Sequence, residues 1–381
     1  MHCRFRRVAS LVLIAFLALS ARAQKYVAYV GTYTDKTMSK GIYAFSYDAE
    51  SVRFESLGLA AETKNPSFLA ADKNGKFLFA VNELSEYEGQ KSGGVSAFRA
   101  GDATGKLIFL NEVASRGADP CYIAFDKSGR YLLVANYSGG NVAVFPVRVD
   151  GKVGEASGFV QHKGSSVDKE RQEGPHAHWI ETSRDNRYAL AADLGTDQLI
   201  VHRFDEKSGA LTINDPPGTK VTGGSGPRHA ASSRNGKFVY LLNEMKGTIT
   251  AFRYEGGKLT EVQTISSLPK DFSDSNDAAE LAMHPSGKFL YASNRGEDAI
   301  AVFRVDQAKG TLDVIEHVPT QGKTPRSFAI DPTGRLLLAA NQNSNNIVVF
   351  RIDAGTGRLT PTGQKLDVPS PVCVVFVKRK S

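Results

Sequence analysis

A strand that ends in a short polar rim recurs seven times along this chain, and the recurrence restricts the possible folds more than any other feature. The copies are Tyr29-Val-Gly31-Thr-Tyr33, Phe79-Ala-Val-Asn82-Glu83, Leu133-Val-Ala-Asn136-Tyr137, Leu190-Ala-Ala-Asp193-Leu194, Leu241-Leu-Asn243-Glu244, Tyr291-Ala-Ser-Asn294-Arg295 and Leu338-Ala-Ala-Asn341-Gln342. Successive anchors (Gly31, Asn82, Asn136, Asp193, Asn243, Asn294 and Asn341) lie 47 to 57 residues apart. A period of this size marks a repeat architecture, in which one unit cannot bury its apolar face without its neighbours.

The unit is built from strands. An apolar run and a Gly turn precede each well-formed rim, as in Ser327-Phe-Ala-Ile-Asp-Pro-Thr-Gly334-Arg-Leu-Leu-Leu-Ala-Ala-Asn341, and a third apolar run follows at Asn346-Ile-Val-Val-Phe. The turn recurs at Gly75, Gly129, Gly236 and Gly287, with Asn186 as the fourth-repeat counterpart, because Asn also tolerates a positive φ. A less regular fourth strand, such as Leu259-Thr-Glu-Val-Gln-Thr-Ile265, is expected in most units. Four short strands per repeat form the blade of a β-propeller, and no segment after the leader shows a sustained helical period. The first rim has no strand before it, whereas Ser370-Pro-Val-Cys-Val-Val-Phe-Val377 at the far end resembles Thr324-Pro-Arg-Ser-Phe-Ala-Ile330. The expected fold is therefore an all-β, seven-bladed propeller, closed by pairing of the C-terminal strand with the N-terminal strands.

Residues 1–23 stand apart. Arg4, Arg6 and Arg7 precede an apolar stretch from Val8 to Leu19, and Ala21-Arg-Ala23 follows. This is the pattern of a cleaved secretory signal peptide, with an apolar core short for a membrane span. The expected organisation is a signal peptide over 1–23 and one propeller domain over 24–381, periplasmic or secreted and not membrane-bound after cleavage. The formal charge of +7 falls to +3 without the leader's four Arg, which leaves no case for a nucleic-acid partner. Cys121 and Cys373 fall on first strands of blades that are not neighbours, so both are expected as buried free thiols. A closed ring needs no partner, and a monomer is expected.

In each blade the start of the first strand and the end of the second share one face of the ring. Two columns of residues therefore converge on one mouth of the central channel. The first holds Ser67, Cys121, His178, Arg228, Ala279 and Arg326; the second holds Thr32, Glu83, Tyr137, Leu194, Glu244, Arg295 and Gln342. Equivalent positions of a plain scaffold would look alike, whereas these differ and are rich in ionisable groups. Arg offers a planar fork to carboxylate or phosphate oxygens, and His and Glu can move protons near neutral pH. Arg228 and Glu244 are expected at a solvated mouth, contributing little to stability. His176 and His178 could begin a metal site, but no third convergent ligand is evident. Nucleophile-elbow and Walker patterns are absent, and no clean dinucleotide fingerprint occurs.

Gly174-Pro-His-Ala-His178, Gly226-Pro-Arg-His229, Ala279-Glu-Leu with Tyr291-Ala-Ser-Asn-Arg295, and Thr324-Pro-Arg-Ser-Phe-Ala-Ile-Asp-Pro-Thr-Gly334 resemble the seven-bladed-propeller lactonase family, over essentially residues 25–378. That family includes propeller-type 6-phosphogluconolactonases and carboxymuconate cyclases. The resemblance implies a site of one His, two Arg and one Glu, which fall on His178, Arg228, Arg295 and Glu244, and implies no metal or organic cofactor. Arg326, Glu280, His176 and Asn294 complete the candidate substrate-binding set, with Glu280 expected in the wall or behind it.

The expected function is metal-independent hydrolysis of an anionic sugar lactone, resembling 6-phosphogluconolactonase. Arg228 and Arg295 would hold the anion and the developing oxyanion, while Glu244 or His178 takes a proton from water. A muconolactone-type cycloisomerase and a non-catalytic binding propeller are the alternatives. The export signal sits awkwardly with a sugar phosphate made in the cytoplasm.

Overall fold

The computed structural model describes residues 25–100 and 104–378; the expected signal peptide lies outside them. The described chain forms twenty-eight strands, from β1 (Lys25–Thr32) to β28 (Pro371–Lys378), and no helix. These make seven four-stranded antiparallel sheets, so the irregular fourth strand is present in every blade, at its shortest in β11 (Gly158–Gln161). Six sheets take consecutive strands. The remaining one has the order β28-β1-β2-β3, with β2 at Gly41–Asp48 and β3 at Arg53–Glu62, and is the composite blade that closes the ring.

The closing ladder runs from Tyr26 opposite Lys378 to Gly31 opposite Cys373, with a register shift beside Thr32. Side chains reinforce the join with the last blade. Tyr47 Oη donates to Asp331 Oδ2 at 3.1 Å, and the Arg335 guanidinium donates to the Ala49 carbonyl. Tyr26, Phe45 and Tyr47 pack there with Leu336, Leu338 and Val349.

Two patterns make these segments blade strands. The second strands, such as β9 (Tyr131–Asn136), β17 (Phe238–Asn243) and β25 (Leu336–Asn341), are buried along their whole length because neighbouring blades cover both faces. Their near-continuous apolar runs follow from that position. Each first-to-second strand turn then needs one left-handed residue: Gly129 has φ 74° and Gly334 73°, and Asn186 takes the same role at 59°. The apolar clusters lie between blades, as where Phe289, Tyr291 and Ile300 meet Phe328, Leu337 and Phe350. At roughly 1.5–3 kcal/mol for each fully buried large side chain, contact between blades stabilises the ring more than any single blade could.

Seven inner strands line the channel: β4 (Phe68–Ala71), β8 (Pro120–Phe125), β12 (Ala177–Thr182), β16 (Pro227–Ser232), β20 (Ala278–Met283), β24 (Pro325–Ile330) and β28. Each contacts the next, and β28 contacts β4, which completes the circle.

Deleting residues 370–381 removes β28, bares the ladder edge of β1 and uncovers the apolar seam. The truncated protein is expected to aggregate or to lose its cooperative thermal transition, by calorimetry and size-exclusion chromatography. A melting temperature equal to that of the parent would contradict the role given to the closing ladder.

Candidate active site

The channel mouth owes its chemistry to a repeated irregularity in the inner strands. Pairing with the second strand skips one residue between Pro120 and Tyr122, between Ala177 and Trp179, between Pro227 and His229, and between Pro325 and Ser327. The skipped residues are Cys121, His178, Arg228 and Arg326, all from the first column. In β20 the gap holds Ala279 and Glu280, and in β28 it holds Val372. A β-bulge leaves one residue outside the ladder and re-aims its side chain. Here it turns a set of equivalent side chains toward the axis.

A cleft of about 310 Å³ opens there, lined by Glu83, Cys121, Tyr137, Arg171, His178, Glu244, Asp277, Arg295 and Arg326. Its volume lies at the lower end of the ~300–1,000 Å³ range of small-molecule sites. Beneath it, a chamber of about 10 Å³ is lined by residues that include Ser67, Glu83, Arg228, His229, Glu280 and Arg326.

Glu244 holds three guanidinium groups. Its Oε1 lies 2.7 Å from Arg171 Nη2, and its Oε2 lies 2.8 Å from Arg228 Nε and 3.0 Å from Arg295 Nη2. Burial alone would raise its pKa, but Arg295, Arg228 and Arg171 outweigh that and hold it at about 2. Burial, with Arg295 and Arg326 nearby, brings Arg228 down to about 10, so it stays charged at neutral pH. Arg228 also donates from Nη1 to the Ala279 carbonyl. Neither residue is at a solvated mouth, contrary to the sequence-based expectation: Arg228 is 2% exposed and Glu244 4%. The bulge draws Arg228 inward, and Arg171 covers Glu244 from outside.

His178 is buried against Cys121, with Sγ 3.6 Å from Nδ1, and its ring lies 5.2 Å from that of His229 and 5.5 Å from that of Tyr137. Burial, followed by Arg228 and His229, pushes its pKa well below the usual imidazole value, so it is neutral at pH 7. Burial pushes the Cys121 thiol up, which keeps it protonated and argues against a thiolate nucleophile. Cys373 is likewise a buried free thiol.

The remaining candidates divide. Arg326 lines both cleft and chamber, with its guanidinium 5.2 Å from the Tyr33 ring centroid. Glu280 lies behind the wall, accepting from Ser327 Oγ at 3.1 Å and contacting His229 Nδ1 at 2.8 Å. His176 does not line the cleft. It precedes β12, stacks on Tyr137 at 4.5 Å and contacts Glu173 Oε1 and the Tyr137 carbonyl, each at 3.1 Å. Tyr137 thus separates it from His178. Asn294 is fully buried away from the cleft, donating from Nδ2 to the Ser267 carbonyl at 2.7 Å and to Glu297 Oε2 at 2.8 Å.

Sequence reasoning missed Arg171 and Asp277. Both belong to interblade loops outside the two columns, and they approach one another at 3.8 Å. Arg171 sits in the connection between β11 and β12, where Gln172 Nε2 donates to the Leu194 carbonyl at 2.8 Å and Ser166 Oγ donates to Asp197 at 2.6 Å. The available signal was the longest interval in the repeat, the 57 residues from Asn136 to Asp193.

A seven-bladed ring with a polar, guanidinium-rich cleft at one mouth defines a propeller with a candidate small-molecule site. The sequence profile described as "Lactonase, 7-bladed beta-propeller" matches residues 27–376, and the chain belongs to that family. Bacillus subtilis 6-phosphogluconolactonase is 38% identical over 355 residues, covering 93% of this chain and 99% of the relative. The Pseudomonas aeruginosa periplasmic gluconolactonase structure is 36% identical, with a TM-score of 0.86 and coverage of 93% and 99%. A Bacteroides fragilis crystal structure, 40% identical, superposes with a TM-score of 0.86 over 94% of this chain and 99% of the other.

The Glu244 cluster makes a prediction about stability. Its carboxylate pKa is depressed in the folded state, from 4.5 to about 2, so its stabilisation is present above about pH 4.5 and is lost as pH falls toward 2. Glu244→Gln takes their shared counter-charge from three guanidiniums, of which only Arg171 keeps a second carboxylate, Asp277, and should cost about 3–5 kcal/mol at pH 7. The stability gap between wild type and Glu244→Gln should shrink as pH falls below 4.5, in urea titrations over a pH series. A gap independent of pH would mean that the carboxylate charge is not what the cluster needs.

Proposed function

We propose that this protein hydrolyses an anionic sugar lactone, in the manner of a 6-phosphogluconolactonase. The observation that carries the reading is the guanidinium cluster at the channel mouth, in a chain that belongs to the lactonase family throughout its ring. Arg171, Arg295 and Arg326 reach the cleft from different blades and loops. A lactone with an anionic substituent offers what they bind, a ring carbonyl and a phosphate or carboxylate at a fixed separation. Arg suits both through its planar fork of donors.

Within the set His178, Arg228, Arg295 and Glu244, the proposed roles are unequal. Glu244 orients its three arginines, because a carboxylate with a pKa of about 2 is a poor proton acceptor. Arg228 lies beneath as part of that framework, and Arg295 faces substrate. His178 presents a neutral imidazole to the wall, able to give or take one hydrogen bond. The reaction as proposed needs no metal ion, since guanidinium supplies the positive charge for a developing oxyanion.

The relatives' names differ over phosphate: the Bacillus subtilis protein is a 6-phosphogluconolactonase and the Pseudomonas aeruginosa protein a periplasmic gluconolactonase. Together with the leader expected over residues 1–23, the second name supports a periplasmic or exported protein acting on a sugar lactone outside the cytoplasm. N-terminal sequencing of the protein made in a Gram-negative host should find a periplasmic chain beginning at or near Gln24. A cytoplasmic chain that retains Met1 would remove this part of the reading.

Substrate class is tested by ring opening of gluconolactone and 6-phosphogluconolactone, with muconates as a control for cycloisomerase chemistry. Hydrolysis of at least one sugar lactone is expected, unchanged after treatment with a chelator. Loss of one charge-assisted hydrogen bond of about 1.5–3 kcal/mol should raise KM for the phosphorylated lactone ~10- to 100-fold in Arg295→Met. KM for the neutral lactone should rise less. Turnover of muconate alone would favour the cycloisomerase, and no turnover of any substrate would favour a binding propeller.

A further inference from the structure

Two carboxylates line the cleft from the second column, and their surroundings are opposite. Glu244 is taken up by three guanidiniums at 2.7, 2.8 and 3.0 Å. Glu83 receives one neutral donor, the Tyr33 hydroxyl, 2.9 Å from both of its oxygens. Among the described residues no cation lies within ion-pairing distance of Glu83, so lone pairs remain for a further partner. Burial raises the Tyr33 phenol above its usual range, which keeps it a donor.

Of the three arginines that line the cleft, the one in the same corner has the fewest ion-pair partners among the described residues. Arg228 and Arg295 are tied to Glu244, and Arg171 to Glu244 and Asp277. Among the described residues, Arg326 has no carboxylate within that distance, and its guanidinium lies 5.2 Å from the centroid of the Tyr33 ring. Tyr33 therefore holds both groups at once, Glu83 through its hydroxyl and Arg326 against its face.

Glu83 and Arg326 also share a position that Glu244 lacks, since they line both the open cleft and the chamber beneath it. The chamber, at about 10 Å³, is close to the space occupied by one water. Ser67 Oγ in its wall is buried and has no hydrogen-bond partner among the described residues. A polar chamber of this size, with an orphan hydroxyl in its lining and two carboxylates, of which Glu280 is engaged by His229 and Ser327, is suited to hold a single water next to the cleft.

We propose that Glu83 is the general base of the reaction and Arg326 its oxyanion partner, with the water seated among Glu83, Ser67 and Arg326. The assignment rests on the lactonase reading above. Glu83 takes one proton from the water as its oxygen bonds to the lactone carbonyl carbon, and the carbonyl electron pair moves onto oxygen beside Arg326. When that pair returns, the ring carbon–oxygen bond breaks, and the proton on Glu83 passes to the departing ring oxygen. The products are a hydroxyl and a carboxylic acid, which ionises to carboxylate and a proton. No other reactant is required, and Glu83 ends as it began.

The test compares Glu83→Gln, Glu83→Ala, Arg326→Met and Tyr33→Phe with the wild-type protein, on gluconolactone and 6-phosphogluconolactone. Glu83→Gln should lower kcat by ~10²-fold or more with KM near the wild-type value. Added formate should restore part of the rate to Glu83→Ala, which a purely structural carboxylate would not allow. Arg326→Met should lower kcat by about 10²–10³-fold, as for loss of one oxyanion donor. Tyr33→Phe keeps the carboxylate but loses its anchor; it should lower kcat several-fold at constant KM, and it decides the matter if Glu83→Gln does not fold. A folded Glu83→Gln with wild-type kcat, or an unchanged kcat in Tyr33→Phe, overturns the assignment while leaving the lactonase reading intact. If the wild type opens neither lactone, both readings fall.

Discussion

The antiparallel ladder between β1 and β28 is the contact on which the rest of the molecule depends. Every other blade is formed by strands adjacent in sequence, whereas this one joins residues at opposite ends of the chain. Until it forms, the first and last blades have no fixed separation, and the clusters between blades cannot all close. The cleft depends on it directly. Its walls come from strands and loops around the circle, with Tyr33 just after the seam strand and Arg326 on the blade beside it. A shift in seam register would move those two side chains relative to each other before it disturbed the Glu244 cluster.

In the proposed reading, Glu244 organises the site by fixing its arginines rather than by moving protons itself. Removing one carboxylate and three guanidiniums from water is costly, and close pairing offsets the cost only when geometry is good. The result is a set of cations held at fixed positions before any ligand arrives, one of them supplied by a loop. Preorganised charge of this kind is what an oxyanion or a bound anion requires, because nothing has to reorganise when the ligand's charge appears. The same pairing that fixes the arginines makes their carboxylate a weak base.

The architecture was legible in the sequence because it is periodic. The seven rims, the left-handed turn residues and the displaced C-terminal strand each repeat or complete a pattern, and all three appear in the structure. The two columns were legible for a related reason, since the bulge falls at the same place in nearly every inner strand and equal offsets stay equal. What escaped is what is not periodic. Arg171 comes from the longest of the connections between blades, and without it Glu244 reads as an open carboxylate at a wet surface. His176 and Asn294 lie beside site residues in sequence, yet a stacked tyrosine shields the first and strand-end hydrogen bonds occupy the second. Glu83 stood in the column from the start, but its distinction from Glu244 is one of neighbours, which spacing does not encode.

The bulges have a consequence for how such a ring can change over generations. A residue outside the ladder makes no paired backbone contact that depends on its identity, so its side chain can be exchanged while the strands on either side keep their register. Cysteine, histidine, arginine and valine already occupy equivalent bulges in this one molecule. The inner circle thus behaves as a set of interchangeable sockets on a constant frame. Lineages that share the frame can diverge in substrate by altering the occupants while the strands keep their register, most freely at bulges outside the buried Glu244 cluster.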